Sequence, residues 1–203
     1  MLFRSDRIIR EPKQQRSIEK KEKIIRAAYE LFSEEGYYGT VTSDIAKRAG
    51  VSTGIVYGYF SDKRDILFYV LKIYINEMAS PVMDCVNGIL GVAPLSELFG
   101  KIISLVESMH KKNANLHNIL HSLAVIDADI NAEFLGLEKH ITESVAQKFS
   151  SLGLKTEGLD EKIHIAMNLI QSYAHEAIYD KHDYLDYNSM KNTVIDMLVK
   201  LFD

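Results

Sequence analysis

The sequence predicts an all-α protein with an N-terminal three-helix head, a long fourth helix and a C-terminal helical body. Residues 95–203 contain no proline and few glycines, which is typical of long helices. Apolar residues recur with helical spacing, and no segment shows the sustained alternation of a strand. Five of the eleven glycines lie between Gly36 and Gly58, which indicates short helices joined by tight turns.

The head is predicted over residues 17–65. Its first helix is amphipathic, covers about residues 17–35 and ends at Gly36, a residue type common just after a helix. Thr40 and Thr42 are both candidates for the N-cap of a second, short helix, because their hydroxyls can accept a hydrogen bond from its first amides.

A fourth helix is predicted to begin after Ser61 and Asp62 and to end between residues 81 and 91. It is apolar on more than one side, which is typical of a helix packed between two neighbours. We expect it to join the head to a body that covers residues 66–203. Further helices of the body are expected to begin near Pro94, Leu116, Asp127, Asp160 and Ser189.

The composition is that of a folded protein, with 47% hydrophobic and 26% charged residues. No apolar stretch reaches the roughly 20 residues of a membrane span, so no membrane partner is expected. The N-terminus lacks the apolar core of a secretory signal, and the single cysteine, Cys85, cannot form an internal disulfide. We therefore expect a cytoplasmic protein and no cofactor.

Charge is divided unevenly along the chain. Residues 1–65 contain 13 Lys and Arg against 10 Asp and Glu, whereas residues 66–203 contain 11 against 18. A positive head on a negative body favours binding of phosphates by the head alone. Residues 1–16, which are rich in arginine, are interpreted as a basic arm; an ordinary frayed terminus is the alternative.

The functional prediction depends on residues 40–60. Two short helices meet at Gly50, where the small side chains of Ala46 and Ala49 permit close approach, and Ser52 can cap the second helix. This arrangement predicts a helix-turn-helix, in which the second helix enters the major groove of DNA.

The polar side chains of this motif suit contacts with phosphates. Ser52 and Thr53 lie at the N-terminus of the recognition helix, where amide groups and the helix dipole favour anions. Thr42 has the same place on the preceding helix. Further donors that can reach a phosphate are Tyr57, Tyr59 and Lys63.

Many ordered positions over about residues 17–70 carry a family resemblance. They are Ala27, Ala28, Leu31, Phe32, Gly36, Tyr37, Thr40, Asp44, Ile45, Ala46, Ala49, Gly50, Val51, Ser52, Gly54, Tyr57, Tyr59, Phe60, Lys63 and Leu67. This pattern resembles the N-terminal domain of TetR-type repressors. The resemblance implies an all-helical homodimer that binds a palindromic double-stranded DNA operator and is relieved by an unknown small-molecule effector held in the body.

The resemblance also implies roles for single residues. The positions that match phosphate contacts are Thr42, Tyr57, Tyr59 and Lys63, and those that face the bases are Thr53, Gly54 and Gly58. Val41 stands where the family often has a threonine, and Gly58 stands where it often has an aromatic residue. Direct readout is therefore expected to depend chiefly on Thr53 and Ser43, with part of the specificity coming from DNA shape.

Two copies of the head, about 34–36 Å apart, would match successive major grooves. The last two helices carry apolar stripes within residues 163–178 and 194–202, which predict a four-helix dimer interface. The alternative is that these stripes only close the core of the monomer.

A ligand pocket is predicted from apolar side chains with a few polar anchors. Its candidate residues are Met78, Met109, His121, Tyr173 and His175. His110, His117 and His121 would lie near one face if a single helix held them, and the last two have the i, i+4 spacing of metal ligands. Asn118 stands where a zinc protease would need a glutamate, so no metal site is predicted.

Two other function classes remain open. One is a metal-dependent enzyme that uses the histidine-rich body, although the sequence has no nucleophile elbow, phosphate loop or complete ligand set. The other is a helical interaction module whose head no longer binds DNA. The head residues that argue against this module are Thr42, Tyr57, Tyr59 and Lys63.

Overall fold

The computed structural model describes residues 15–153 and 157–202, and every regular element in these ranges is a helix. The predicted all-α class is therefore confirmed. The helices are α1 Gln15–Glu35, α2 Thr42–Ala49, α3 Thr53–Tyr59, α4 Lys63–Ile89, α5 Leu95–Lys112, α6 Ala114–Ile126, α7 Ala128–Ser151, α8 Leu159–Tyr179 and α9 Tyr187–Phe202. Apart from Gln15 and Arg16, the predicted basic arm lies outside the described residues.

The chain forms two compact units, and the first contains the described residues 15–74 and 114–130. This unit combines α1 to α3 and the beginning of α4 with α6, which the sequence assigned to the body. The predicted head and body, residues 17–65 and 66–203, divide the chain by function, and this division stays a prediction. The chain passes from one unit to the other at residues 74, 113 and 130.

The core of the first unit lies where α1 packs against α2, α3 and α6. Apolar residues three and four positions apart on α1 face inward, as the amphipathic pattern predicted. Fully buried side chains of this core include Ile24, Phe32, Ile45, Phe60, Leu67, Leu116 and Leu120.

The N-cap prediction for α2 is wrong for both threonines. Val41 occupies the N-cap position in an extended conformation, and Thr42 is the first helical residue. The side chain that forms a hydrogen bond at this helix start is Asp44, whose carboxylate accepts from the amide of Val41 at 3.3 Å. Thr40 is fully buried, and its hydroxyl donates to the carbonyl of Gly36 at 2.8 Å.

Helix α4 contains Pro81 and ends at Ile89, within the predicted range. It is the one helix of the described residues that is long and apolar enough to cross a membrane by length and composition. The expectation that no segment would reach this length is therefore wrong. The first part of α4 nevertheless buries Ile66, Leu67 and Val70 completely, as a core helix does.

The second unit contains the described residues 75–113, 131–153 and 157–202, and in it α5 packs against α8 and α9. The last two helices begin slightly earlier than predicted. Gly158 is the N-cap of α8, with Asp160 in the first turn, and Asp186 caps α9 by accepting from the amide of Asn188 at 2.9 Å. Side chains buried between α5, α8 and α9 include Ile103, Val106, Ile163, Ile170, Val194 and Leu198.

Candidate nucleic-acid interface

The turn between α2 and α3 has the geometry that the sequence predicted. Gly50 ends α2 with φ +68°, a left-handed conformation that favours glycine. The amide of Val51 donates to the carbonyl of Ala46 at 3.0 Å, which closes the turn. Ser52 then occupies the N-cap of α3 in an extended conformation, and its side chain makes no capping hydrogen bond.

One face of α2 and α3 fixes both helices to the first unit. Ile45, Ala46, Val56 and Phe60 are at most 2% exposed. Because these side chains are in the core, the opposite face of the motif is the one left to bind a partner.

The predicted DNA-contacting residues divide by exposure. The exposed ones are Ser43, Ser52, Gly54, Tyr57 and Gly58, and the half-buried ones are Thr42, Thr53, Tyr59 and Lys63. The structure therefore leaves each of them some accessible surface. Their contacts with DNA stay predictions.

The two tyrosines of α3 differ in their surroundings. Tyr57 is 46% exposed. Tyr59 is half-buried, and its hydroxyl shares a hydrogen bond of 2.7 Å with the hydroxyl of Ser17 on α1. This bond ties the end of the recognition helix to the first turn of α1, a long-range contact that has no signal in the sequence.

Lys63 lies at the first position of α4, where a cation opposes the helix dipole. Its ammonium donates to the carbonyls of Tyr37 at 2.7 Å and Thr40 at 2.8 Å. It also lies 4.3 Å from the centre of the Tyr37 ring. Burial lowers the pKa of Lys63. The two bonds leave one of its three N–H donors for a phosphate.

Two nearby arginines are occupied by acidic side chains. Arg48 on α2 pairs with Glu34 at 2.9 Å and Glu30 at 3.3 Å. Arg64 on α4 pairs with both Asp127 and Asp129 at 2.9 Å. The formal positive charge of the head is thus partly neutralised within the unit, and the sequence could not show this because the acidic partners of Arg64 are more than 60 residues away.

The predicted pocket residues do not all lie in one unit. Met78, Met109, Tyr173 and His175 belong to the second unit, whereas His121 is exposed on α6 in the first. Tyr173 is 3% exposed, and its one hydroxyl proton is shared between the backbone carbonyl of Tyr187 at 3.1 Å and the carboxylate of Glu107 at 3.3 Å. Burial and the charge of Glu107 raise the pKa of Tyr173 to about 12.

The three histidines considered for a metal are divided between α5 and α6. His110 shares a hydrogen bond of 2.9 Å with Gln171, and burial lowers its pKa. His117 is buried and shares a hydrogen bond of 2.6 Å with the hydroxyl of Tyr74. Among the described residues, no group of three or more His, Cys, Asp or Glu side chains could hold a metal ion.

Comparison with known proteins places the motif in a family. Residues 24–70, which contain α2 and α3, match the model of "Bacterial regulatory proteins, tetR family". Over 54 residues, the chain is 57% identical to the HTH-type transcriptional regulator HbdR of Aromatoleum sp. (strain CIB), an alignment that covers 27% of this chain and 24% of that protein.

Longer matches extend beyond the motif. The fatty acid metabolism regulator protein of Bacillus subtilis (strain 168) is 28% identical over 191 residues, covering 87% of this chain and 92% of that protein. A solved structure from Mesorhizobium loti, described as a TetR-family transcriptional regulator, aligns with TM-score 0.75 at 19% identity and covers 93% of this chain and 97% of that chain.

The fold of B. subtilis FadR, solved in complex with stearoyl-CoA, is also similar. It aligns with TM-score 0.59 at 24% identity, covering 88% of this chain and 97% of that chain. A helix-turn-helix with a buried inner face, a family match over it and a shared fold along the rest of the chain together identify this protein as a DNA-binding transcriptional regulator of the TetR family.

Proposed function

We propose that the protein is a ligand-relieved repressor that binds a palindromic operator as a homodimer. The observation that carries this proposal is the accessible outer face of α2 and α3, held in place by Gly50 and a fully buried inner face. Such a face fits the major groove, and two copies related by symmetry fit two half-sites.

The contacts with DNA are assigned by exposure and chemistry. Ser52 and Thr53 present hydroxyls and amides at the start of α3, and Thr42 and Ser43 do the same at the start of α2. Tyr57, Tyr59 and Lys63 supply further donors to phosphates, while Thr53, Gly54 and Gly58 face the bases.

The homodimer is assigned to α8 and α9. Ile165 on α8 is 52% exposed and Met197 on α9 is 53% exposed, although both helices bury their opposite faces against α5. Large apolar side chains on the outer faces of two neighbouring helices favour an isologous interface with a second copy.

A long-chain acyl thioester is the proposed class of effector. Support comes from two comparisons: a similar B. subtilis protein is a fatty acid metabolism regulator, and the similar structure of B. subtilis FadR was solved with stearoyl-CoA. The second unit, which carries most of the predicted pocket residues, would bind it. The heads of a dimer can be spaced to fit the operator or spaced so that they do not fit it. Ligand binding weakens operator affinity only if the ligand binds the second arrangement more tightly than the first.

Binding to the DNA upstream of the protein's own coding region tests this proposal. We expect two chains per duplex, measured by native mass spectrometry, and steeply weaker binding between about 50 and 200 mM salt. Stearoyl-CoA should release the duplex with a loss of affinity of about 5-fold or more, whereas free CoA should not. If the chain binds this DNA no better than a scrambled duplex, the proposed operator is wrong, and if stearoyl-CoA leaves binding unchanged, the effector class is wrong.

A further inference from the structure

The outer face of the recognition helix contains two glycines that the fold does not require. Gly54 and Gly58 are exposed and four residues apart on α3, so they lie on the same face. The described glycines with positive φ are Gly36, Gly50, Gly91, Gly153 and Gly158. The backbone at residues 54 and 58 is therefore one that any L-amino acid adopts.

Space does not require glycine at these positions either. Apart from its chain neighbours and the backbone of its own helix, a Cβ atom built on Gly58 would meet no atom within 4 Å, and one built on Gly54 would meet only the hydroxyl of Ser52, at 3.9 Å. This contrasts with Gly39, where the same atom would lie 2.6 Å from the carbonyl oxygen of Glu35.

Glycine destabilises a helix interior relative to alanine, because it loses more backbone freedom on folding. Helix α3 has seven residues, and two of them are these glycines. Alanine at either position should thus stabilise the free protein. A requirement for glycine at these two positions therefore comes from the partner that binds this face.

That partner is DNA, because the family match over residues 24–70 covers this helix. We propose that Gly58, assisted by Gly54, is a specificity-determining residue because it lets the backbone of α3 lie close to the base edges. The neighbouring side chain of Thr53 then reaches deeper into the groove than a helix with side chains at both glycine positions would allow. This inference rests on the proposed function, since it requires an operator.

A different physical account of these glycines predicts the opposite change in operator affinity. If the glycines served to keep α3 flexible until it binds, alanine would pre-organise the helix and strengthen operator binding. If they set the approach to the bases, the added methyl group weakens operator binding while it stabilises the protein. The direction of the change in affinity separates the two accounts.

The experiment compares the parent with Gly58→Ala, Gly54→Ala and a control, Gly136→Ala. Gly136 is an exposed helical glycine on α7, where a Cβ would also meet no atom within 4 Å, and it belongs to the second unit. The probe is the duplex that the parent selects from a randomised pool, with a scrambled duplex of equal length as the reference. The full chain is used throughout.

We expect all three variants to raise the melting temperature by about 1–4 °C. Gly58→Ala should lower affinity for the selected duplex about tenfold or more, as the loss of one base contact does, and leave affinity for the scrambled duplex unchanged. Gly54→Ala should act in the same direction, and Gly136→Ala should leave both affinities unchanged.

Three results would overturn the inference. They are a lower melting temperature for Gly58→Ala, an operator affinity equal to or above that of the parent, and an equal loss on both duplexes. A parent that selects no duplex would contradict the proposed function itself, and the inference with it.

Discussion

At the scale of single residues, Lys63 has two tasks that the structure separates. Its ammonium joins two carbonyls of the turn between α1 and α2, and one N–H donor remains. The sequence predicted only the phosphate contact. It could not indicate the carbonyl contacts, because they depend on the path of a turn more than 20 residues earlier.

Substitution of Lys63 by methionine, which keeps an unbranched side chain of nearly the same length but removes the ammonium, tests both tasks. The free energy of unfolding should fall by about 1–2 kcal/mol, because bonds from a charged donor are lost. The dependence of log affinity on log salt should become shallower by about 0.9 per subunit. Denaturant unfolding and titrations of DNA at several salt concentrations measure the two effects. An unchanged slope with weaker binding would mean that Lys63 only holds the turn.

Thr40 shows the limit of reading a cap from residue type. A threonine just before a short helix is a good N-cap candidate, yet its hydroxyl donates backwards to Gly36 and its side chain is fully buried. The carboxylate of Asp44 instead accepts from the amide of Val41, three residues earlier. This spacing of a cap and an acidic residue occurs in many sequences, so by itself it predicts little.

At the scale of elements, Asp127 connects the junction of α6 and α7 to the first turn of α4. Its carboxylate accepts from the amides of Asp129 at 3.1 Å and Ile130 at 3.3 Å, which caps α7, and it also accepts from Arg64. Burial by itself raises the pKa of Asp127, but the Arg64 guanidinium and the two amides outweigh it and hold the pKa below its usual value.

Two variants of Asp127 separate the cap from the ion pair. Asp127→Asn keeps a capping oxygen and should destabilise the protein by no more than about 1 kcal/mol, since the pair is partly exposed. Asp127→Ala loses both and should cost about 1–2 kcal/mol. Denaturant unfolding at low salt and at about 1 M salt provides the measurement, because salt screens the pair and not the cap.

The pH dependence has a defined sign. Because the pKa of folded Asp127 is depressed, the stabilisation is present above the unfolded pKa of about 3.9 and is lost as the pH falls through the folded value. In Asp127→Asn, the free energy of unfolding should fall less steeply as the pH is lowered through this range. If the difference in unfolding free energy between Asp127→Asn and the parent is the same at high salt as at low salt, the ion pair is not its source.

The helices themselves were the most predictable part. Helical spacing of apolar residues and capping residues gave α1, α3, α4, α5 and α7 closely, and the recognition turn at Gly50 followed from glycine and two small residues. The start of α8 was placed late because Asp160 fits a cap by residue type, whereas Gly158 holds that position. Helix α9 begins at Tyr187, after its cap Asp186, and so precedes the expected start at Ser189.

At the scale of the whole molecule, the number of subunits is the principal prediction. Ile165→Glu and Met197→Glu place a charge on the outer faces of α8 and α9. Each should shift the protein from dimer to monomer and weaken operator binding, because a charge buried in an apolar interface is costly. Sedimentation equilibrium at several concentrations measures the first effect and DNA titration the second.

Val92→Glu is the matched control, since Val92 is 82% exposed in the second unit but lies between α4 and α5, outside α8 and α9. It should leave the dimer and DNA binding unchanged. A parent that is monomeric at all concentrations, or charged variants that stay dimeric, would exclude this interface.

The sequence alone located the DNA-binding motif, but it did not predict which residues of the rest of the chain lie together. The pattern over residues 24–70 is dense enough to identify a family, whereas the pocket residues were chosen by type and fall into different units. Side chains suited to a ligand are equally suited to a core, as Tyr173 illustrates with its two hydrogen bonds inside the second unit.

The placement of α6 has a practical consequence for anyone who wishes to isolate the DNA-binding part. Helix α6 packs on α1 and contributes two fully buried leucines, Leu116 and Leu120, yet 39 intervening residues (75–113) separate it from the end of the first segment. A fragment truncated at Tyr74 would expose that apolar surface and should aggregate. A soluble miniature of this regulator would need residues 114–130 grafted back through an artificial linker.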